Sequence, residues 1–130
     1  MSNEFLMEVF FIKIKVTSHF KNITENTEDV FETFAIKNKN KISYFANVTS
    51  YKLTILDNQI ILLRDNEEFS HKFIFDIDKI TKSEYYIKEL NTSIDVLIKT
   101  TKLIKNNHQI QIDYEIIDSN NKYSYILDME

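Results

Sequence analysis

Apolar and polar residues alternate with a period of two along most of the chain, in short runs rich in β-branched and aromatic side chains. In the run 10–17, Ile14 and Val16 share one face while Lys13 and Lys15 share the other, as in a strand with one buried face. Helical periodicity is nearly absent. Runs of this kind predict about ten strands, at residues 10–17, 30–36, 42–48, 51–56, 59–64, 69–75, 84–88, 93–104, 109–117 and 123–127.

Clusters of Asn, Asp and Lys separate these runs and predict tight turns. The clearest hairpin joins 51–56 to 59–64 through Asp57 and Asn58, which belong to the non-glycine types that best tolerate left-handed backbone. Short strands at intervals of roughly 8 to 12 residues indicate a β-sandwich or a barrel. Because closure removes exposed strand edges, we expect an all-β fold, a closed antiparallel up-and-down β-barrel.

Two local patterns leave alternatives open. Residues 24–34 fit either a short helix, with Thr27 to Asp29 as an N-terminal capping signal, or a strand containing Val30 and Phe31. Runs 60–63 and 73–75 carry large apolar side chains on both faces. We therefore expect a cap, a helix or a dimer partner to cover part of the outer surface of the barrel.

The composition removes most motifs of catalysis. The 130 residues include no Gly, Pro, Cys or Trp, a bias consistent with an AT-rich genome. Without Gly, the chain cannot encode the usual phosphate-cradling loops, dinucleotide-binding turns or nucleophile elbows. Without Cys it has no disulfide, no Cys-based zinc site and no thiol nucleophile. We expect no cofactor and no enzymatic activity.

Length and charge limit the domain count and the partners. A chain of 130 residues fits one domain, residues 1–130. The net charge of -4 and the pI near 5.4 argue against binding to nucleic acid or to an anionic membrane surface. Glu4 and Glu8 interrupt any signal-peptide core, and every apolar run is shorter than the roughly 18 residues of a membrane span. We expect a cytoplasmic protein.

The chain also resembles a known family over almost its whole length. The resemblance is carried by Ile12 to Val16, by Ile61 to Arg64 with Lys72 to Phe75 after it, and most strongly by Asp95 to Leu103 with Ile110 to Glu115. These segments are similar, in type, order and spacing, to the YwiB-like small bacterial proteins of unknown function. The resemblance implies a calycin-like, that is lipocalin-like, closed barrel. It implies no activity, because one fold hosts many functions.

Arg64 is the first candidate for a binding residue. It is the only Arg of the chain and is in phase with Ile60 and Leu62, which predicts that its side chain faces the barrel mouth or interior. There it could bind a carboxylate or a phosphate with two hydrogen bonds. The competing structural interpretation is an internal salt bridge or a guanidinium that reaches water from the rim.

Four further residues belong to the same candidate ligand site. His71 is in phase with the aromatic residues 69, 73 and 75, and a satisfied core or rim histidine is the competing interpretation. Tyr44, Tyr114 and Thr100 would be polar groups on an otherwise apolar inner face. The histidines and the paired carboxylates have no metal-ligand spacing, so we expect no metal site.

Three hypotheses of function follow. The leading one is a non-enzymatic barrel that binds a small amphipathic ligand, which requires free volume inside it. The second is a protein–protein interaction module that uses its exterior, with a homodimer among the candidate assemblies. A cofactor-free enzyme that uses Arg64, His71 and a carboxylate is a distant third.

Overall fold

The computed structural model describes residues 11–130, and these form a closed antiparallel β-barrel without a helix. The sequence prediction of an all-β up-and-down barrel is confirmed. The strands are β1 (Phe11–Asn22), β2 (Thr27–Asn38), β3 (Lys41–Ala46), β4 (Thr49–Ile55), β5 (Gln59–Asp65), β6 (Phe69–Asp76), β7 (Thr81–Ile87), β8 (Thr92–Lys105), β9 (Gln109–Ile116) and β10 (Asn121–Met129).

Each strand pairs with its neighbours in the sequence, and β10 pairs with β1 to close the barrel. Because the strands run alternately up and down, five of the connecting turns lie at one end, which we call the mouth. They follow β1, β3, β5, β7 and β9. Within residues 11–130 no helix is long and apolar enough to cross a membrane.

The core follows the predicted alternation. Inward-facing positions of β5, β6, β9 and β10 carry large apolar side chains that fill the barrel at nearly zero exposure, because alternate residues of a strand point to opposite faces. The most deeply buried large side chains are Val16, Ile42, Leu53, Ile60, Leu62, Phe73, Phe75, Ile98, Ile110, Ile112, Tyr125 and Leu127. This packing leaves the central section of the barrel dry and rigid.

The turns solve the absence of glycine with other residues. Asn26, Asn47, Asn91 and Asn120, all in turns of the mouth, have φ between 48° and 59°, and Lys39 has φ of 57° in the β2–β3 turn. Asn is the residue type that adopts this left-handed conformation most readily after Gly. Asp57 and Asn58 join β4 to β5 as predicted, but neither has positive φ, so the expected left-handed backbone there is wrong.

The barrel is least complete between β2 and β3. Residues 24–34, which fitted a helix or a strand, lie in a turn and then in β2. β2 and β3 share only three residue pairs, which end at Ile36 and Ser43. In the described chain, 27–35 of β2 therefore pair with β1 alone, and 44–46 of β3 pair with β4 alone. We call these two free edges and the gap between them the seam.

Candidate functional site at the barrel mouth

Arg64 lies on the inner face of β5, close to the mouth. Its register partners are Tyr51 on β4 and His71 on β6, so the three side chains form one row across adjacent strands. The phase that Arg64 shares with Ile60 and Leu62 explains its inward direction, and both of those residues are buried below it. The prediction that Arg64 faces the barrel interior is confirmed.

Aromatic rings surround the guanidinium group. Its central carbon lies 4.5 Å from the ring centre of Phe20, 5.4 Å from Tyr51 and 5.3 Å from Phe69. These distances are within the range of cation–π attraction, which strengthens when water is excluded. The three rings come from β1, β4 and β6, so three separate strands hold the cation in position.

No carboxylate neutralises this cation within the described chain. None of the ion pairs formed by residues 11–130 includes Arg64. The Nε atom of Arg64 is also buried without a hydrogen-bond partner. The internal salt bridge that competed with a binding role is therefore absent among residues 11–130, and the cation keeps unused donor capacity.

A cavity of about 280 Å³ lies beside the guanidinium group. Its walls come from the mouth ends of β1, β2, β3, β4 and β5 and from the β3–β4 turn. The wall is mixed in character, because aromatic and hydroxyl side chains share it with one anion, Asp29, which does not ion-pair with Arg64. The lining residues are Ser18, Phe20, Asp29, Val30, Phe31, Ala46, Asn47, Thr49, Tyr51 and Arg64.

A chain of hydroxyl groups leads from this cavity into the core. Ser18 Oγ lies 2.9 Å from the Tyr44 hydroxyl oxygen, which lies 2.5 Å from the hydroxyl oxygen of Tyr125. The rings of Tyr44 and Tyr51 stack almost parallel, with centres 4.8 Å apart. Burial raises the pKa of the Tyr44 and Tyr125 hydroxyls, so both stay protonated at neutral pH. Tyr44 thus supports the cavity from behind Ser18.

His71 is a neutral core histidine in this structure. Its side chain is 7% exposed, and Nε2 forms a 3.1 Å hydrogen bond with the Ser83 hydroxyl, which donates in turn to the carbonyl of Val96. Burial and, to a smaller extent, the Arg64 cation lower its pKa to about 4. Among the described residues no carboxylate orients the ring as a general base would require.

Tyr114 and Thr100 face inward as predicted but do not line the mouth cavity. They are register partners on β9 and β8, next to the β-bulge that follows Thr100. The Tyr114 ring packs on Phe75 with centres 4.9 Å apart, and burial raises the pKa of its hydroxyl. The Thr100 hydroxyl is buried without a hydrogen-bond partner. Of the five predicted residues, Arg64 alone lines the mouth cavity. Tyr44 adjoins the cavity through Ser18, and His71 is the register partner of Arg64, whereas Thr100 and Tyr114 lie in the packed core.

Sequence reasoning missed several residues of the site. Tyr51 could have been found, because a hairpin that turns at Asp57 and Asn58 places it opposite Arg64. Phe20 and Ser18 were missed because β1 continues to Asn22, beyond the predicted end at residue 17. The polar residues of 17–22 hid that continuation, because only Phe20 among these six residues is apolar and the alternation of apolar and polar residues is lost.

A second, larger depression lies outside the barrel along the seam. This outer groove has a volume of about 770 Å³ and is shallow. Its most exposed apolar side chains are Val48 at 72%, Phe45 at 66% and Phe34 at 57%, with Ile36 beside them. Lys52 and Lys88 lie on its border, and Lys88 is already paired with Asp65 at 2.9 Å. Apolar groups of this size usually mark a contact surface.

No cluster of His, Asp or Glu in residues 11–130 is arranged to hold a metal ion. The outward-facing carboxylates serve other contacts. Asp128 forms a hydrogen bond with His19, and Asp113 accepts one from the hydroxyl of Ser124.

The fold is shared with a solved structure of a bacterial protein. The chain is similar to the crystal structure of the ywiB protein from Bacillus subtilis, with a TM-score of 0.67 and 13% sequence identity over 95% of this chain and 96% of that one. No family model matches the chain. No curated protein matches it in sequence. The likeness therefore establishes a YwiB-like barrel fold and carries no information on activity.

Proposed function

We propose that this protein is a non-enzymatic binding barrel for a small amphipathic molecule with an anionic head group. One observation carries the proposal, namely a charged guanidinium that lies beside a cavity and has no carboxylate partner in the described chain. A half-buried charge of this kind costs stability unless a counter-charge completes its hydrogen bonds. A bound carboxylate would supply that counter-charge with two parallel hydrogen bonds.

The cavity walls support an amphipathic ligand rather than a free inorganic anion. Phe20, Phe31 and Tyr51 offer apolar surface next to the cation, and Ser18 and Thr49 offer hydroxyl groups. Pockets for small molecules commonly combine mostly apolar walls with a few fixed polar groups, in volumes of roughly 300–1,000 Å³. The volume of about 280 Å³ lies just below that range, and the exposed wall is more polar than apolar. Both features favour a small ligand whose polar head group fills most of the cavity.

The first test is a titration with hexanoate and with benzoate, monitored by isothermal titration calorimetry. The second is native mass spectrometry of the protein purified from its own cells, to detect a retained ligand. We expect Arg64→Gln to weaken hexanoate binding about ten- to a hundredfold, the usual value of a charge-assisted hydrogen bond. Asp29→Asn should tighten it, because Asp29 is the one anion on the cavity wall.

Lys52→Gln is the matched control, since it removes an exposed cation that borders the outer groove and not the mouth cavity. If Lys52→Gln and Arg64→Gln weaken hexanoate equally, binding depends on net charge alone and the proposal fails. Hexanol, which has the same chain without the charge, should bind no better to the parent protein than to Arg64→Gln.

We also propose that the chain is a distant member of the YwiB-like family, with a calycin-like barrel. The shared fold over 95% of the chain supports this, together with the segments Asp95 to Leu103 and Ile110 to Glu115. A ligand identified for this protein should then be tested on the Bacillus subtilis protein. Intermediate sequences that align Arg64 with a cation of that protein would support common descent, and a different residue there would limit the likeness to the fold.

The second candidate function is an interaction module that uses the exterior of the barrel. The exposed apolar side chains of the outer groove favour it. Candidate partners include another polypeptide and a second copy of this chain. The native mass measured in the ligand experiment distinguishes monomer from dimer directly. The cytoplasmic location and the absence of a nucleic-acid or membrane partner stay predictions that rest on the sequence alone.

A further inference from the structure

We propose that the seam between β2 and β3 accepts an extended segment of another polypeptide as an additional strand. This inference rests on the second candidate function, the interaction module, and specifies the chemical character of the polypeptide that it binds. The accepted segment is apolar at alternate positions on its outer side and carries an acidic side chain on its inner side, toward Arg64. The argument has three parts, which concern the backbone, the outer groove and the inner cavity.

The backbone on both sides of the seam can pair with a strand. Residues 27–35 of β2 and 44–46 of β3 have a strand neighbour on one side only within the described chain. Extended edges of this kind carry N–H and C=O groups that another extended chain can satisfy. Main-chain hydrogen bonds supply affinity in such complexes, and the alternating side chains supply specificity.

The outer groove fits every second side chain of such a strand. Phe34 and Ile36 border it from β2, while Phe45 and Val48 border it from β3 and the following turn. A strand in the seam would point alternate side chains outward onto these four residues. Valine, isoleucine or phenylalanine at those positions would cover apolar surface that is now exposed to water.

The inner side chains of the same strand would point toward the mouth cavity. Phe31 and Thr49 line that cavity near the two edges, and Arg64 lies on its wall without an anionic partner in the described chain. Asp29 is the other charged group there. An acidic inner side chain long enough to pass Asp29 would therefore form the missing ion pair.

Two other occupants fit less well. An alkyl chain would cover the free backbone groups without satisfying them, at a desolvation cost for each. A second copy that paired through its own β2 would bring together two edges that each carry Glu28, Asp29 and Glu32 and no Lys between 27 and 35. Like charges facing each other across strands are destabilising.

The experiment uses the full chain and a capped synthetic heptapeptide in which valine occupies every odd position, threonine positions two and six, and glutamate the centre. We expect this peptide to bind and to slow amide hydrogen exchange in 27–35 and 44–46. A version with N-methyl groups on alternate backbone amides should lose binding, because it keeps the side chains and loses the hydrogen bonds. Protection elsewhere in the barrel, or equal binding by the N-methylated peptide, would overturn the proposal.

Side-chain variants test the two faces. A peptide with glutamine in place of glutamate should bind the parent protein about tenfold more weakly or worse, yet bind Arg64→Gln as well as the glutamate peptide does. Phe45→Ser should weaken both peptides several-fold. The control is Leu90→Ser, because Leu90 is equally exposed at 66% but does not line the outer groove.

The remaining outcomes distinguish this inference from the ligand proposal. Hexanoate binding with no peptide protection would overturn the strand site alone, and peptide protection with no hexanoate binding would overturn the ligand proposal alone. A dimer that protects the seam without peptide would assign it to a second copy. Seam protection that disappears when residues 1–10 are deleted would assign it to this chain, and either result would overturn the proposal.

Discussion

β9 with β10 and β2 with β3 are two neighbouring-strand pairs of one barrel, and they differ in almost every respect. β9 and β10 pair along eight residues of each strand and bury Ile110, Ile112, Tyr125 and Leu127 completely. β2 and β3 pair along three residues of each strand, and the one buried residue of β2 is Ala35. The first pair belongs to the continuous, well-packed part of the sheet, β5 to β10, which we call the wall. The second pair leaves two edges free.

The difference separates the residues that stabilise the core from those of the candidate site. Apolar burial is densest in β9 and β10, which bury three apolar side chains each, so we expect these strands to open last. The seam and the adjoining mouth contain the features that stability does not require, namely exposed aromatic rings and an unneutralised cation. β5 positions Arg64, while the seam, which β4 and β3 separate from β5 in the strand order, remains accessible.

The largest expected effect tests this contrast directly. Phe75→Ala should lower the free energy of unfolding by about 3–5 kcal/mol, because the ring is fully buried against Phe73 and Tyr114 and its loss leaves a cavity. Phe45→Ala should change it by less than about 0.5 kcal/mol, since that ring is exposed. Urea unfolding of both variants is the measurement, and similar losses would contradict the contrast.

The second effect is a pH dependence of the free energy of unfolding, which we assign to His71 on β6. His71 has a pKa of about 4 in the folded protein against 6.5 in the unfolded chain, so the unfolded state binds its proton first as the pH falls. The free energy of unfolding should therefore fall between pH 6.5 and 4, by about 3 kcal/mol at most, and then level off.

His71→Gln provides the control, because the other histidines remain and cancel in the difference between the two unfolding curves. The variant should be less stable at neutral pH and should lose most of the slope in this window. An unchanged slope would show that His71 titrates normally and is more accessible than its burial indicates.

The third effect concerns the hydroxyl chain at the boundary between wall and mouth. Tyr44→Phe removes the central hydroxyl and leaves those of Ser18 and Tyr125 short of a partner inside the barrel. We expect a loss of about 1–2 kcal/mol, typical for a buried polar group without its partner. Tyr85→Phe should lower the free energy of unfolding less, because the Tyr85 hydroxyl is not part of the hydroxyl chain of Ser18, Tyr44 and Tyr125. Equal losses for the two variants in thermal unfolding would contradict a stabilising role of the hydroxyl chain.

The fourth effect is a small change in stability that should accompany the largest change in binding. Arg64→Met keeps an unbranched side chain among Phe20, Tyr51 and Phe69 and removes a charge that has no counter-ion in the described chain. The lost cation–π attraction and the relieved desolvation oppose each other, so the free energy of unfolding should change by less than about 1 kcal/mol. Hexanoate binding should be lost. A large destabilisation would make Arg64 a structural residue.

The sequence predicted the wall far better than the seam, for a physical reason. In β9, Ile110, Ile112 and Tyr114 alternate with polar residues because one face is buried, and that period identifies both the strand and its orientation. In β2, Val30 and Phe34 are exposed although apolar, so alternation and burial no longer coincide. The helix-or-strand ambiguity fell on this strand.

The candidate site was predicted in part for the same reason. Arg64 and His71 lie on strands of regular period, and their inward direction followed from their phase. The partners of Arg64 depend on register between strands far apart in the sequence, as with Phe20 on β1. No local pattern encodes such a register. Thr100 and Tyr114 had the right phase, but they pack in the core and do not line the mouth cavity.

The glycine-free turns of the mouth are positions at which single substitutions can raise the stability of the protein. Four of them are built on Asn in the left-handed region, where a non-glycine residue usually pays a conformational cost that Asn only partly avoids. Substitution by Gly at such positions would relieve backbone strain, by a few tenths of a kcal/mol to about 1 kcal/mol each. In a lineage whose base composition drifted toward GC, Asn codons in these turns could become Gly codons. The stability gained in this way could offset destabilising substitutions in the candidate site.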